Sequence, residues 1–189
     1  MTSHSDEHLI GALARGDNDA LRILVERYSP SIYRFSVRYT GDASLAEDVA
    51  QEVFLRLFLH AKKYTAGRSF RTWLFTIVRN VSIDLARPYS HRKSVSLKGY
   101  GDAGREEFTP ESIANGSLSQ EDQVANREKR KRIIDAVQDL PERQRAAIIL
   151  KYYEDMSTRE IAGVLHKTVS SVEALLARAK HNLAELLKI

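Results

Sequence analysis

Residues 70–87 read FRTWLFTIVRNVSIDLAR, and the spacing of this stretch decides how the rest of the chain is read. At 3.6 residues per turn, Phe70, Leu74, Ile77, Val81 and Leu85 fall on one stripe, the side that an amphipathic helix buries. Thr72, Thr76, Arg79, Asn80, Ile83 and Arg87 gather on the far side. Arg, Asn and Thr in such a row can bond phosphates and base edges. Tyr64, Phe70, Trp73 and Phe75 lie close by and offer stacking surfaces for unpaired bases. Taken alone, the pattern also fits an ordinary packed helix with a solvated polar face, so the neighbouring stretches decide between the two.

Charge is strongly segregated around this helix. Residues 1–61 carry a net −3, residues 62–98 a net +8, residues 99–126 a net −5 and residues 127–189 a net +4. Two basic blocks divided by an acidic one suggest two separate surfaces for a polyanion. Pro88 disfavours helix in the residue before it, so the helix is expected to stop near Arg87. Residues 89–98 are basic and irregular in pattern. Gly99, Gly101, Gly104, Pro110 and Gly116, set among acids and serines, make residues 99–126 read as a flexible acidic linker.

Upstream, residues 9–14 and 20–28 have helical patterns with Asp17 or Asn18 as the cap between them, and Ser29-Pro30 looks like a further helix start. Ser44-Leu45-Ala46-Glu47 is a capping-box pattern that opens a helix to about His60, with Val49, Ala50, Val53, Phe54 and Leu57 inward. Asp48, Gln51, Glu52 and Leu55 share another face. Phosphates would repel it, so a protein partner suits it better than DNA.

Downstream, Ile133, Ile134, Val137 and Leu140 form a stripe behind a basic run, Leu140-Pro141-Glu142 marks a break, and residues 146–153 read as a buried helix. Ser157-Thr158-Arg159-Glu160 is a second capping box, whose short helix reaches Leu165. His166-Lys167-Thr168 then separates it from a helix that turns Val172, Leu175, Leu176, Ala179 and Leu183 inward. This is the helix-turn-helix pattern. The small Ala162 lets the two helices approach closely. Ser170, Ser171, Glu173, Ala174, Ala177, Arg178 and His181 face outward, where a major groove would be read.

No strand-like alternation of useful length occurs. The expected fold is all-α, with an N-terminal helical domain at 1–98, a linker at 99–126 and a helix-turn-helix domain at 127–189. There is no cysteine, hence no disulfide and no thiolate metal site. Phosphate-loop, zinc-protease and nucleophile-elbow motifs are absent, and no enzyme, cofactor or metal is expected. His4 and His8 have i, i+4 spacing but are expected to be inert. No apolar run approaches the roughly 20 residues that cross a bilayer, and the polar N-terminus has no signal-peptide pattern, so a cytoplasmic protein without membrane insertion is expected.

The chain resembles the bacterial sigma factors of RNA polymerase, in the small extracytoplasmic-function group. The resemblance runs along most of the chain. It is carried by Gly16-Asp17 with Ala20-Leu21, Tyr33-Arg34-Phe35, Thr40-Gly41-Asp42, Ala46-Glu47-Asp48, Gln51-Glu52-Val53-Phe54, Phe70-Arg71-Thr72-Trp73-Leu74, Arg79-Asn80 with Asp84, Leu140-Pro141, Arg143-Gln144, Glu160-Ile161-Ala162 and Arg178-Ala179-Lys180. The resemblance implies a promoter-specificity factor. Asp48, Gln51, Glu52, Phe54 and Leu55 would dock on the β′ clamp helices of core polymerase. Tyr64, Arg71, Trp73, Thr76, Arg79, Asn80, Ile83 and Arg87 would read and help melt the −10 element, with Asn80 on a flipped-out base. Lys167, Ser170, Ser171, Glu173, Ala174, Arg178 and Lys180 would read the −35 element. An anti-sigma factor is the further partner implied.

Two departures stand out. His166 occupies the turn position where the family usually has glycine, and the recognition helix carries Ser171-Val172-Glu173-Ala174-Leu175 where the family often has two cations. The competing reading is an autonomous dimeric helix-turn-helix repressor, which would have no use for the acidic face beside the aromatic residues.

Overall fold

The computed structural model describes residues 4–65, 67, 69–90 and 120–188. Eight α-helices occur among them, and no strand. They are α1 (Asp6–Ala14), α2 (Asn18–Thr40), α3 (Ala43–His60), α4 (Phe70–Ser90), α5 (Gln120–Asp139), α6 (Glu142–Tyr152), α7 (Thr158–Leu165) and α8 (Val169–Leu187), with a 3₁₀ turn at Ala61–Lys63.

Local chemistry places most helix ends. Ser5 caps α1 by accepting from the His8 N–H at 3.2 Å, and Asp17 caps α2 by accepting from the Asp19 N–H at 3.0 Å. Gly41 ends α2 at φ 74°, a left-handed conformation that glycine adopts without Cβ strain, and its N–H bonds the Val37 carbonyl at 2.8 Å.

Four boundaries differ from those expected. Helix α2 does not restart at Ser29-Pro30 but runs through both, and the Ser29 hydroxyl bonds back to the Val25 carbonyl at 2.6 Å. Burial of Leu24, Tyr28, Ile32 and Phe35 on one continuous stripe outweighs the single hydrogen bond lost at the proline. Helix α3 is capped by Asp42 rather than Ser44, because one Asp42 oxygen accepts from both Ser44 N–H (2.9 Å) and Leu45 N–H (3.1 Å). Helix α4 continues through Pro88 to Ser90 in a last turn whose residues 84–87 are exposed or half-buried, so the lost bond is not a buried one. Helix α5 begins at Gln120, inside the stretch expected to be linker. Residues 91–119 lie outside the described residues.

Helices α1 to α4 bury Ile10, Leu24, Ile32, Phe35, Val49, Val53, Leu57, Phe70, Leu74, Phe75, Val78 and Val81 almost completely. Each such side chain contributes about 1.5–3 kcal/mol when removed from water. Helices α5 to α8 bury Val137, Leu140, Ala146, Ile149, Leu150, Met156, Ile161, Val164, Val172 and Ala179. In α5 the stripe is turned from the expected one: Ala136 is buried and Ile134 is 40% exposed. The two cores merge into one cluster, and α7 packs directly on α4.

Candidate nucleic-acid interface

Helix α4 carries its polar row on the side away from α2 and α3. Asn80 and Arg87 are exposed, while Arg71, Trp73, Thr76, Arg79 and Ile83 are half-buried. Asn80 accepts from the Arg79 guanidinium at 3.3 Å, which fixes its side chain beside a cation. The expected aromatic platform shrinks to two residues. Phe70 and Phe75 are fully buried in the core and cannot stack on a base. Tyr64 and Trp73 remain at the surface edge, with ring centroids 5.5 Å apart and planes at 64°. That pair offers an aromatic edge and a partly open face to a base turned out of its stack.

Arg79 is less available than the sequence suggested. Its side chain is only 14% exposed, one guanidinium nitrogen lies 3.3 Å from Glu142 at the start of α6, and its Nε is buried without a hydrogen-bond partner.

On α3, Asp48, Gln51 and Leu55 are exposed, and Glu52 and Phe54 are half-buried. Phe54 packs against the core, and Glu52 binds Arg56 at 2.7 Å, which in turn reaches Asp84 of α4 at 3.4 Å. The sequence reading missed two members of this face. Phe58 (46% exposed) and Leu59 (61%) extend from Leu55 (51%) toward the helix end. The i, i+3, i+4 spacing from Asp48 through Leu55 to Leu59 was the signal that placed them there. The face is therefore acidic at one end and strongly apolar at the other.

The helix-turn-helix forms as its sequence demands. The Ser157 hydroxyl accepts from the Glu160 N–H at 3.2 Å, and Glu160 accepts from the Ser157 N–H at 2.9 Å. Burial pushes the Glu160 carboxyl up, but the Ser157 hydrogen bonds outweigh it and hold the carboxyl below its usual range. His166 closes α7 at φ 51° in the left-handed region, the position where glycine is cheapest. Thr168 then caps α8 by accepting from Ser171 N–H at 3.2 Å. Lys167 is exposed in the turn before α8, and Ser170, Glu173, Ala174, Arg178 and Lys180 are exposed on α8 itself, with Ser171 half-buried. Lys180 sits 5.6 Å from the Tyr152 ring centroid, a cation–π contact that steadies its stem.

The two faces meet at an open cleft of about 810 Å³, lined on one side by Arg79, Asn80 and Arg87 and on the other by Arg143 and Arg178. Arg143 and Gln144 contribute to it from the first turn of α6, and no periodicity in the sequence placed them there. Among the described residues, no cluster of His, Cys, Asp and Glu could hold a metal ion, and no helix is long and apolar enough to cross a membrane.

A family model described as Sigma-70 region 2 matches residues 24–92, and one described as Sigma-70, region 4 matches residues 130–183. The chain is 31% identical over 179 residues to the ECF RNA polymerase sigma factor SigW of Bacillus subtilis, covering 95% of each chain. It is 32% identical to SigL of Mycobacterium tuberculosis, covering 86% of this chain and 87% of that one. Its fold is similar to that of CnrH in complex with the cytosolic domain of CnrY, with a TM-score of 0.71 at 24% identity and 97% of each chain covered. It is also similar to the sigma factor RpoE in complex with the anti-sigma factor NepR from Bartonella quintana, with a TM-score of 0.66 at 22% identity, covering 91% of this chain and 98% of that one.

Proposed function

The chain belongs to the extracytoplasmic-function sigma factors of RNA polymerase, and from that premise we propose how its own surfaces divide the work of promoter recognition. The N-terminal domain, residues 1–98, binds core polymerase through α3 and the −10 element through α4. The C-terminal domain, residues 127–189, binds the −35 element through α8. The observation that carries this reading is the presence of two separate polar, cation-bearing helix faces on one chain, on α4 and α8, with an acidic and apolar face on α3 beside the first of them. Run-off transcription with purified core polymerase on a promoter library tests it. Initiation from a defined −10/−35 pair, only when the chain is added, is the expected result.

In this reading Asp48, Gln51, Leu55, Phe58 and Leu59 meet the β′ clamp helices. Tyr64 and Trp73 stack on displaced bases, Asn80 reads one base edge, and Arg71, Thr76 and Arg87 hold the strand. The chain works in the cytoplasm, catalyses no reaction of its own, and is held in check by an anti-sigma factor; the similarly folded RpoE from Bartonella quintana forms a complex with the anti-sigma factor NepR.

Two substitutions separate the two readers. Asn80→Ala removes the exposed amide, and discrimination at one −10 position is expected to fall by about 1–3 kcal/mol, the worth of a good base contact. Binding to promoters altered elsewhere should keep its ranking. An equal loss on every −10 variant would count against the assignment. Glu173→Lys replaces an acceptor suited to cytosine N4 with a donor suited to guanine. A library selection is expected to show an altered −35 preference with the −10 preference unchanged; a shift confined to −10 would reject the role given to α8.

A further inference from the structure

Five arginines from four helices converge on one cleft. Arg56 comes from α3, Arg79 and Arg87 from α4, Arg143 from α6 and Arg178 from α8. The open volume between them is about 810 Å³, within the roughly 300–1,000 Å³ of small-molecule sites. Arg87, Arg143 and Arg178 are exposed at its rim, whereas Arg56 is half-buried and Arg79, at 14%, is the least exposed of the five. A smaller cavity of about 110 Å³ adjoins it, sharing Arg79, Arg143 and Arg178 and adding Lys167.

Like charges gathered in this way repel one another, and the protein offsets only part of the repulsion. Two carboxylates line the cleft, Asp84 and Glu142. Asp84 lies 3.4 Å from Arg56 and Glu142 lies 3.3 Å from Arg79, so both already have a cation. Among the described residues neither Arg143 nor Arg178 forms an ion pair. The buried Nε of Arg79 has no hydrogen-bond partner, a cost that an added acceptor would relieve.

Neutral donors favour the same kind of ligand. Asn80 uses its amide oxygen on Arg79 at 3.3 Å, and Gln144 uses its own on Asn182 at 2.9 Å. Both NH₂ groups are left to donate. The cleft also takes in Pro141 to Gln144, the start of α6, and no side chain caps that end. The Gln144 and Arg145 N–H groups bond the Pro141 carbonyl at 2.8 and 3.0 Å, while those of Glu142 and Arg143 have no intrahelical acceptor. The positive end of the helix adds to the pull on an anion.

A single phosphate group does not fill this arrangement. One guanidinium grips a phosphate through two parallel N–H bonds, so five spread around a volume of this size match several phosphates in a row. Ile83 and Leu175 lie beside them and give an apolar wall for a base where the ligand carries one.

We propose that this cleft is a binding site for a short polyphosphate chain, inorganic or borne by a nucleotide, held by Arg79, Arg87, Arg143 and Arg178 with the Asn80 and Gln144 amides. Such binding needs neither DNA nor polymerase, and so it stands or falls apart from the promoter roles given to these helices.

Isothermal titration of the full-length chain with tripolyphosphate, without DNA, polymerase or magnesium, tests the site. Saturable binding of one anion per chain is expected, at least about tenfold tighter than orthophosphate at the same ionic strength. Arg143→Ala with Arg178→Ala should weaken it by at least about tenfold. Arg22→Ala with Arg159→Ala removes the same charge outside the cleft and should bind like the wild type. All four side chains are exposed, so both variants should keep their helix content. A nucleoside triphosphate that binds more tightly than tripolyphosphate upholds the site and adds the Ile83–Leu175 wall as a base contact. One that binds no more tightly upholds it for the phosphate chain alone. Binding that does not saturate, orthophosphate binding of equal strength, or the same loss in both double variants would overturn the proposal. So would tripolyphosphate that fails to bind while a random-sequence DNA oligonucleotide binds and loses affinity when Arg143 and Arg178 are replaced, a result that gives the cleft to a nucleic-acid backbone.

Discussion

Replacing Asp48 by Arg together with Leu55 by Asp is expected to lower affinity for core RNA polymerase by roughly a thousandfold, with helix content and thermal midpoint unchanged. Both side chains are exposed, Leu55 by 51%, so neither substitution opens a cavity or strands a buried group. What they remove is one end of the charged part and the first residue of the apolar part of the α3 face. Truncating or reversing a central anchor in an interface costs about 2 kcal/mol or more, and two such losses amount to about 4 kcal/mol, or about three decades of affinity. Glu52 is the poorer choice for this experiment. Its bond to Arg56, and through Arg56 to Asp84, ties α3 to α4, so reversing it would mix a loss of binding with a loss of packing. Fluorescence titration of labelled chain with core polymerase measures the effect. Undiminished binding by the double variant would remove α3 from the polymerase interface.

The helix-turn-helix was legible because its determinants are local. The Ser157 and Glu160 bonds span three residues, and the left-handed turn is made by His166 alone. Ala162, read as the small residue of the crossing, is buried between Ile161 and Val164 as the pattern required.

Helix α4 was legible only in part. A single stripe of period 3.6 describes a helix packed on one side, and it placed Phe70, Leu74 and Val81 correctly. Helix α4 packs on α2 and α3 on one side and on α7 on another. Its buried arc is therefore wider, and it takes in Phe75, Val78 and Ser82, while Ile77 and Leu85 stay half-buried. The reading of Phe75 as a stacking residue failed for that reason.

The helix starts show a different limit. Asp42 and Ser44 are both competent caps by residue type, and Asp42 wins because one of its oxygens reaches two N–H groups. The contact between the domains left no periodic trace. Gln138 and Arg145 look like ordinary helix-surface residues, yet they bond carbonyls at the end of α2 about a hundred residues away.

That contact bears on how the protein handles DNA when polymerase is absent. The isolated chain is expected to bind promoter duplex no better than about 10⁻⁴–10⁻⁶ M at physiological salt, with nearly the same affinity for scrambled DNA and a steep loss as salt rises. Added core polymerase should tighten and sharpen binding to the specific promoter by at least about a thousandfold. Melting requires each base step to be unstacked, at about a few kcal/mol. Against that cost the free chain sets the Tyr64–Trp73 pair, worth about 1–3 kcal/mol per stacked base, and an arginine row of which Arg71 is held by Glu154 and Arg79 by Glu142. The balance is near zero. Residues 99–126, with their net −5, add repulsion toward phosphate. A partner that grips both domains removes these costs together, which is why specificity should arrive with the polymerase rather than grow gradually with concentration of the free chain. Electrophoretic titration on specific and scrambled duplexes, with and without core, reads the difference directly. Tight and sequence-specific binding by the chain alone, above all to a palindrome, would favour a dimeric repressor and defeat this account.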